Sequence, residues 1–126
     1  MARILIIDDD DLLRDVLART LAISGHIVDQ ADNGQAGLDR FRAAPADVVI
    51  TDIVMPVQEG VETILQLRRE QPKVPIIAMS GGVANSKLYL NIAGRIGADY
   101  VLSKPFSPQE LLEAVNRVVG RSPPQQ

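Results

Sequence analysis

Apolar positions in this chain follow two rhythms, and the rhythms alternate. Ile4-Leu5-Ile6-Ile7 is an unbroken aliphatic run, β-branched at three of four positions. Such a run predicts a strand buried on both faces, as in a parallel sheet. Asp8 to Asp11 stop it, and Leu12, Leu13, Val16, Leu17 and Leu21 then recur at helical spacing. Asp10 is the expected N-cap of that helix and Gly25 its C′ residue. His26-Ile27-Val28 opens a second strand, and Asn33-Gly34 a second helix through Ala36, Leu38 and Phe41, ended by Pro45. Val48-Val49-Ile50 is a third strand running into Asp52. A loop with Pro56 and Gly60 leads to a helix around Val61, Ile64, Leu65 and Leu67, closed by Pro72. Val74 to Met79 is a fourth strand, and Ser80-Gly81-Gly82 turns the chain toward a helix near residues 85–95, ended by Gly97. Tyr100-Val101-Leu102 is a fifth strand. Ser107-Pro108-Gln109-Glu110 has the form of a capping box with Pro at the first helical position, and Leu111, Leu112, Val115, Val118 and Val119 supply the last apolar face.

Five strands alternating with five helices predict an α/β fold, a parallel sheet covered on both faces. Eight such units close a barrel; five fit a doubly wound open sheet of the flavodoxin-like (βα)5 kind, in strand order 2-1-3-4-5. Residues 1–120 read as one domain, and 121–126 as a flexible tail without core-forming residues.

Composition narrows the chemistry. Among 126 residues there is no Cys, no Trp and one His. Disulfides, iron–sulfur clusters, thiolate zinc sites and thiol catalysis are excluded, and any His-dependent triad would rest on His26 alone. Two Tyr and two Phe are too few for a base-stacking platform, and a net charge of −3 gives no general nucleic-acid footprint, so no direct nucleic-acid binding is expected. No apolar run approaches 18 residues, so no membrane span is expected. The start of the chain runs into an apolar stretch too short for a signal peptide, which points to a cytoplasmic protein. Arg40, Arg42, Arg68 and Arg69 read as exposed helix charges, and His26 as structural or surface.

In open α/β sheets, sites lie beyond the C-terminal ends of the strands, where strand order reverses. Strand one ends in Asp8-Asp9, strand three in Asp52, strand four in Ser80 and strand five in Lys104. The order 2-1-3-4-5 makes strands one and three neighbours and gathers the three acids, with Ser80 and Lys104 facing them. Any one of these residues alone would read as a cap, a turn or a surface charge. Together, three carboxylates repel one another, and a hard divalent cation such as Mg²⁺ relieves that repulsion. Three acids exceed what Mg²⁺ requires, so one could itself react, as an Asp nucleophile attacking phosphorus. A cation and a Lys would offset the developing charge, and a Ser hydroxyl could donate to a phosphoryl oxygen.

The segments Ile4-Leu5-Ile6-Ile7-Asp8-Asp9, Asp52-Ile53-Val54-Met55-Pro56, Ser80 and Lys104-Pro105-Phe106, with Arg14, Gly60 and Gly97-Ala98-Asp99, resemble the CheY-like receiver domain of two-component response regulators. The resemblance covers residues 1 to about 120. It implies Asp52 as phosphoacceptor, with Mg²⁺ (or Mn²⁺) held by Asp8, Asp9, Asp52 and the main-chain carbonyl of Val54. It implies that Lys104 contacts the phosphoryl group, that Ser80 bonds it once formed, and that the Lys104–Pro105 peptide is cis. Ser80, Val101 and Pro105 fall in the family's switch region. The implied partners are a histidine kinase or His-phosphotransfer protein and a downstream protein target, with the chain a monomer or a phosphorylation-dependent dimer. With only a tail after Gly120, the expectation is a single-domain switch rather than an enzyme.

Two departures stand out. The family's aromatic switch position holds Val101, and the aromatic lies one place earlier at Tyr100, which strand alternation turns to the opposite face. The stretch from Ser80 to Lys104 is slightly long and carries Gly81-Gly82, which predicts a mobile loop. Val54 and Gly82 occupy the positions that influence phosphate hydrolysis in the family, and neither side chain can position water, which predicts slow self-dephosphorylation. Three alternatives compete: a phosphatase of the haloacid-dehalogenase kind using Asp8/Asp10 or Asp9/Asp11, a flavodoxin, and a phosphorylation-independent interaction domain. The first leaves Asp52 and Ser80 unexplained, the second places four Asp against a flavin phosphate, and the third leaves the acid set without a purpose.

Overall fold

A computed structural model of the chain describes residues 2–53, 59–80, 91, 95 and 97–121. Five strands, β1 (Arg3–Ile7), β2 (Ile27–Ala31), β3 (Val48–Asp52), β4 (Ile76–Ser80) and β5 (Tyr100–Ser103), form one sheet in the order β2-β1-β3-β4-β5. All four pairings are parallel. The four helices with full bounds are α1 (Asp11–Ile23), α2 (Gly34–Ala43), α3 (Glu59–Glu70) and α4 (Pro108–Arg121). Asn91 and Arg95 are also helical, inside the helix predicted near 85–95. The remainder of that helix, the Gly81-Gly82 turn and the tail 122–126 lie outside the described residues.

Local chemistry sets the element ends as expected. Asp10 accepts the Leu13 amide at the start of α1, and Asn33 accepts the Ala36 amide at the start of α2. Gly25 follows the Ser24 C-cap of α1 with φ of 95°, a conformation that costs a side-chain-bearing residue energy. Ser107 and Glu110 form the reciprocal capping box of α4. His26 is structural, its Nδ1 accepting the Ala2 amide at 3.1 Å.

Strand alternation splits the core into two layers. Ile4, Ile6, Val48, Ile50, Ile77, Met79 and Leu102 pack against Leu17 and Leu21 of α1 and Leu111 and Val115 of α4. Leu5, Ile7, Val49, Ile76 and Ala78 face Leu38 and Phe41 of α2 and Ile64 and Leu67 of α3. Burial of this aliphatic set is the main driving force for the fold.

Four details differ from the pattern in the sequence. β4 begins at Ile76 rather than Val74, because Val74 closes a turn onto Gln71 and Pro75 has no N–H to give the ladder. Leu12 and Val16 share the helical spacing of α1 but are exposed, as is Leu65 on α3. The last helix runs through Arg121, one residue past the expected domain end. Arg68 is not a solvated charge. Its guanidinium donates to the carbonyls of Pro72, Val74 and Gly97 and pairs with Asp99 at 2.6 Å. The same Asp99 oxygen accepts the Ile76 amide. Arg68 thus ties the end of α3 to the entries of β4 and β5.

Arg68→Ala strips three main-chain carbonyls and Asp99 of a charged donor. It is expected to cost about 2–4 kcal/mol, read as a lower midpoint in urea denaturation. Asp99→Asn, which leaves Ile76 an oxygen acceptor, should cost less.

Candidate functional site

The site lies where the strands end. Asp8 continues the parity of Ile4 and Ile6, Asp52 that of Val48 and Ile50, and Lys104 that of Leu102. All three therefore leave the sheet toward the layer of α1 and α4. The adjacency of β1 and β3, with Ile7 opposite Thr51, brings the two acids side by side. Lys104 reaches them from β5, its main-chain N–H held by the Ser80 carbonyl at 2.8 Å. The Lys104–Pro105 peptide is cis, as the resemblance implies.

The contacts are short. Lys104 Nζ donates to Asp52 Oδ2 at 2.8 Å and to Asp8 Oδ2 at 3.1 Å. Asp8 Oδ1 accepts the Asp10 amide at 2.9 Å. Asp8 is 0% exposed and Asp52 5%. Asp9 is exposed, and carboxylate oxygens of Asp8, Asp9 and Asp52 lie within 4.8 Å of one another.

Burial dominates the titration of Asp8 and raises its pKa. The Asp10 amide and the Lys104 charge oppose that effect, and the charge of Asp52 adds to it. For Lys104, burial alone would lower the pKa, but the hydrogen bonds and charges of Asp52 and Asp8 together outweigh it and raise the value. Both shifts have one origin: two carboxylates share one ammonium in a poorly hydrated pocket.

Three acids and one ammonium leave a formal charge of −2, concentrated on hard oxygen donors. That donor set fits a divalent cation of the Mg²⁺ kind. The fit rests on ligand chemistry: no Cys is present, and His26 stands at the opposite end of the sheet, at the entry to β2.

Two neighbours shape the pocket. Gly60, at the start of α3, packs directly on the chain leaving β3. A Cβ there would lie 2.3 Å from the Asp52 carbonyl oxygen and 2.5 Å from Ile53 Cα, so no side chain fits. Arg14 donates to the Asp8 carbonyl at 2.7 Å. The sequence marked both residues only through resemblance, since neither contact is visible in a local pattern.

Asp8, Asp9, Asp52 and Lys104 thus come together. Ser80 is fully buried at the adjoining strand end and tied to the group through its main chain; its strand parity is that of Ile76 and Ala78. Val54, the expected carbonyl ligand, and Gly82 lie outside the described residues. Tyr100 and Val101 divide as alternation requires. Tyr100 packs in the α1/α4 layer with its ring centre 5.8 Å from Arg117 Cζ, and Val101 packs in the α2/α3 layer. Among the described residues, no helix is long and apolar enough to cross a membrane.

Known proteins share this arrangement. The sequence profile of the response regulator receiver domain matches residues 4–116. The response regulator MprA of Mycolicibacterium vanbaalenii is 35% identical over 123 residues, which are 97% of this chain and 52% of that protein. The chain therefore spans about half the length of the curated relatives it matches. A response regulator receiver domain protein from Clostridium thermocellum superposes with a TM-score of 0.87 at 30% identity, covering 96% of both chains. The chemotaxis response regulator CheY4 of Vibrio cholerae gives 0.83 at 32% identity, covering 94% of this chain and 98% of that one. Profile, fold and strand-end acids coincide over nearly the whole length, and the chain belongs to the response regulator receiver domain family.

Proposed function

We propose that this receiver domain accepts a phosphoryl group on Asp52 from a phosphohistidine of a histidine kinase or His-phosphotransfer protein, and that the modified chain changes its protein contacts. The observation carrying the proposal is the Asp52 carboxylate, almost buried and 2.8 Å from the Lys104 ammonium, beside two further acids. In the transfer, a carboxylate oxygen of Asp52 attacks phosphorus. The phosphorus–nitrogen bond breaks, and the imidazole leaves with the bonding pair, neutral because its second nitrogen carries the proton. The product is an acyl phosphate.

Asp8, Asp9 and Asp52, with the Val54 carbonyl, would hold Mg²⁺ or Mn²⁺. The bound cation would neutralise charge on the transferring oxygens. Lys104 contributes a fixed positive charge on the side of β5 and orients the carboxylate before reaction. Ser80, buried at the end of β4, would hydrogen-bond the phosphoryl group once it is formed. The added group carries close to two negative charges, enough to rearrange the Ser80 to Pro105 region. With Val101 at the aromatic position and Tyr100 on the other face, this switch runs without a Tyr rotamer change.

Receiver domains are signalling switches rather than enzymes with a turnover substrate. The site is suited to a protein donor. An apolar groove of about 480 Å³ between α1 and the Pro105-Phe106 turn opens beside Lys104, lined by Leu13, Val16, Leu17 and Phe106. The histidine that phosphoryl transfer requires sits on the partner, so His26 takes no part. A switch that meets its phosphoryl donor and its target through protein contacts, monomeric or dimerising on phosphorylation, is the reading that goes with this mechanism.

Incubation with acetyl phosphate and Mg²⁺ should add one phosphoryl group to the intact mass of the wild type and none to Asp52→Asn. Comparable labelling of Asp52→Asn would refute the assignment. The acyl phosphate should persist for minutes or longer; a lifetime of seconds would contradict the roles given to Val54 and Gly82.

The raised pKa of Asp8 means that the folded state binds its proton more tightly than the unfolded state. The metal-free protein should therefore lose stability as pH rises from the unfolded carboxylate value through the raised one. Asp8→Asn removes that cost. It should raise the metal-free urea stability by about 1 kcal/mol while abolishing the melting-temperature increase that Mg²⁺ gives the wild type.

A further inference from the structure

Arg14 stands in the second turn of α1, behind the acid pocket, with a side chain 14% exposed. Its guanidinium makes three contacts to three elements. One Nη donates to the Asp8 carbonyl at 2.7 Å, at the exit of β1. The other pairs with Asp11 Oδ1 at 2.7 Å, in the first turn of α1. Nε donates to Gln30 Oε1 at 3.1 Å, on β2. The side chain is thus anchored on both flanks of the one main-chain oxygen it holds.

That oxygen matters because of what shares its plane. The Asp8 carbonyl and the Asp9 amide belong to a single rigid peptide unit. The other torsions of the turn are already constrained. The Asp8 amide donates to the Ala31 carbonyl, the Asp10 amide to the Asp8 carboxylate, and Asp10 caps α1. The contact from Arg14 adds a restraint on the Asp8–Asp9 plane itself. Asp8 has direct supports for its carboxylate in Asp10 and Lys104. The exposed carboxylate of Asp9 takes its direction from the main chain that carries it.

We propose that Arg14 is a positioning residue for the divalent-cation site: by fixing the Asp8–Asp9 peptide plane it aims Asp9 at Asp8 and Asp52, and so sets the affinity for the cation. This rests on the reading that these three acids hold the cation. Arg suits the task and Lys does not. A planar fork can serve three acceptors in different directions at once, whereas an ammonium on a flexible stem presents one point charge. Groups that orient metal ligands from outside typically cost 10- to 100-fold in affinity when removed.

The test is Mn²⁺ binding to the full chain, followed by water-proton relaxation, with Mg²⁺ calorimetry as a second measurement. Arg14→Met should bind about tenfold or more weakly than wild type. Arg14→Lys should recover only part of the loss. In acetyl phosphate labelling, the Mg²⁺ concentration for half-maximal rate should rise in Arg14→Met while the rate at saturating Mg²⁺ stays near wild type. A lower urea midpoint with an unchanged Mn²⁺ dissociation constant would show a purely structural role and overturn the proposal. If Arg14→Met does not fold, Arg14→Lys carries the same comparison, and an unchanged constant there overturns it equally. A wild-type chain that does not bind Mn²⁺ overturns the cation reading itself, whereas equal binding by wild type and variant overturns only the part given to Arg14.

Discussion

Two buried carboxylates share one ammonium, and the rest of the molecule is arranged around that imbalance. Each contact of Lys104 with Asp8 or Asp52 brings unit charges to about 3 Å. At an effective dielectric near 20 such a pair gains about 5 kcal/mol of Coulomb energy. Removing the ions from water costs several kcal/mol each, and the third acid, Asp9, adds repulsion to the pair. The pocket is therefore a charged, incompletely neutralised cluster held in place by the sheet.

The sheet can hold such a site because its stability is generated elsewhere. The central strands β1, β3 and β4 bury aliphatic side chains on both faces, and the two buried acids Asp8 and Asp52 come only at the ends of β1 and β3. Opposite the site, Arg68 and Asp99 tie α3 to the strands at their entries. One pole is a satisfied network of a guanidinium with carbonyls and a carboxylate. The other keeps an excess of negative charge. The satisfied network and the acid cluster are separated along the strand direction, so the local cost of the cluster is borne by the surrounding structure.

The sequence showed most of the scaffold because its rules are local. Aliphatic runs of strand length, helical spacings, Asp10 and Asn33 as caps, Gly25 past a helix end and the Ser107–Glu110 box each report on neighbours within a few positions. The same locality explains the misreadings. Leu12 and Val16 obey the helical period of α1, yet lie outside the face that meets the sheet. Arg68 looks like any helix cation, because its partners are the carbonyls of Val74 and Gly97 and the carboxylate of Asp99, which only the return of the chain brings near.

By itself the sequence determined the alternation of strands and helices, the aliphatic character of both core layers, and the list of residues standing at strand ends. It did so because period, capping and strand termination are properties of adjacent residues. Tertiary structure decided which strand ends are neighbours, and hence that Asp8, 44 positions before Asp52, shares Lys104 with it. It also decided that Gly60 must lack a side chain to pass the Asp52 carbonyl, and that Arg14 reaches the peptide joining Asp8 and Asp9. Those are distances between elements, and they exist only once burial of the two aliphatic layers has set the strands side by side.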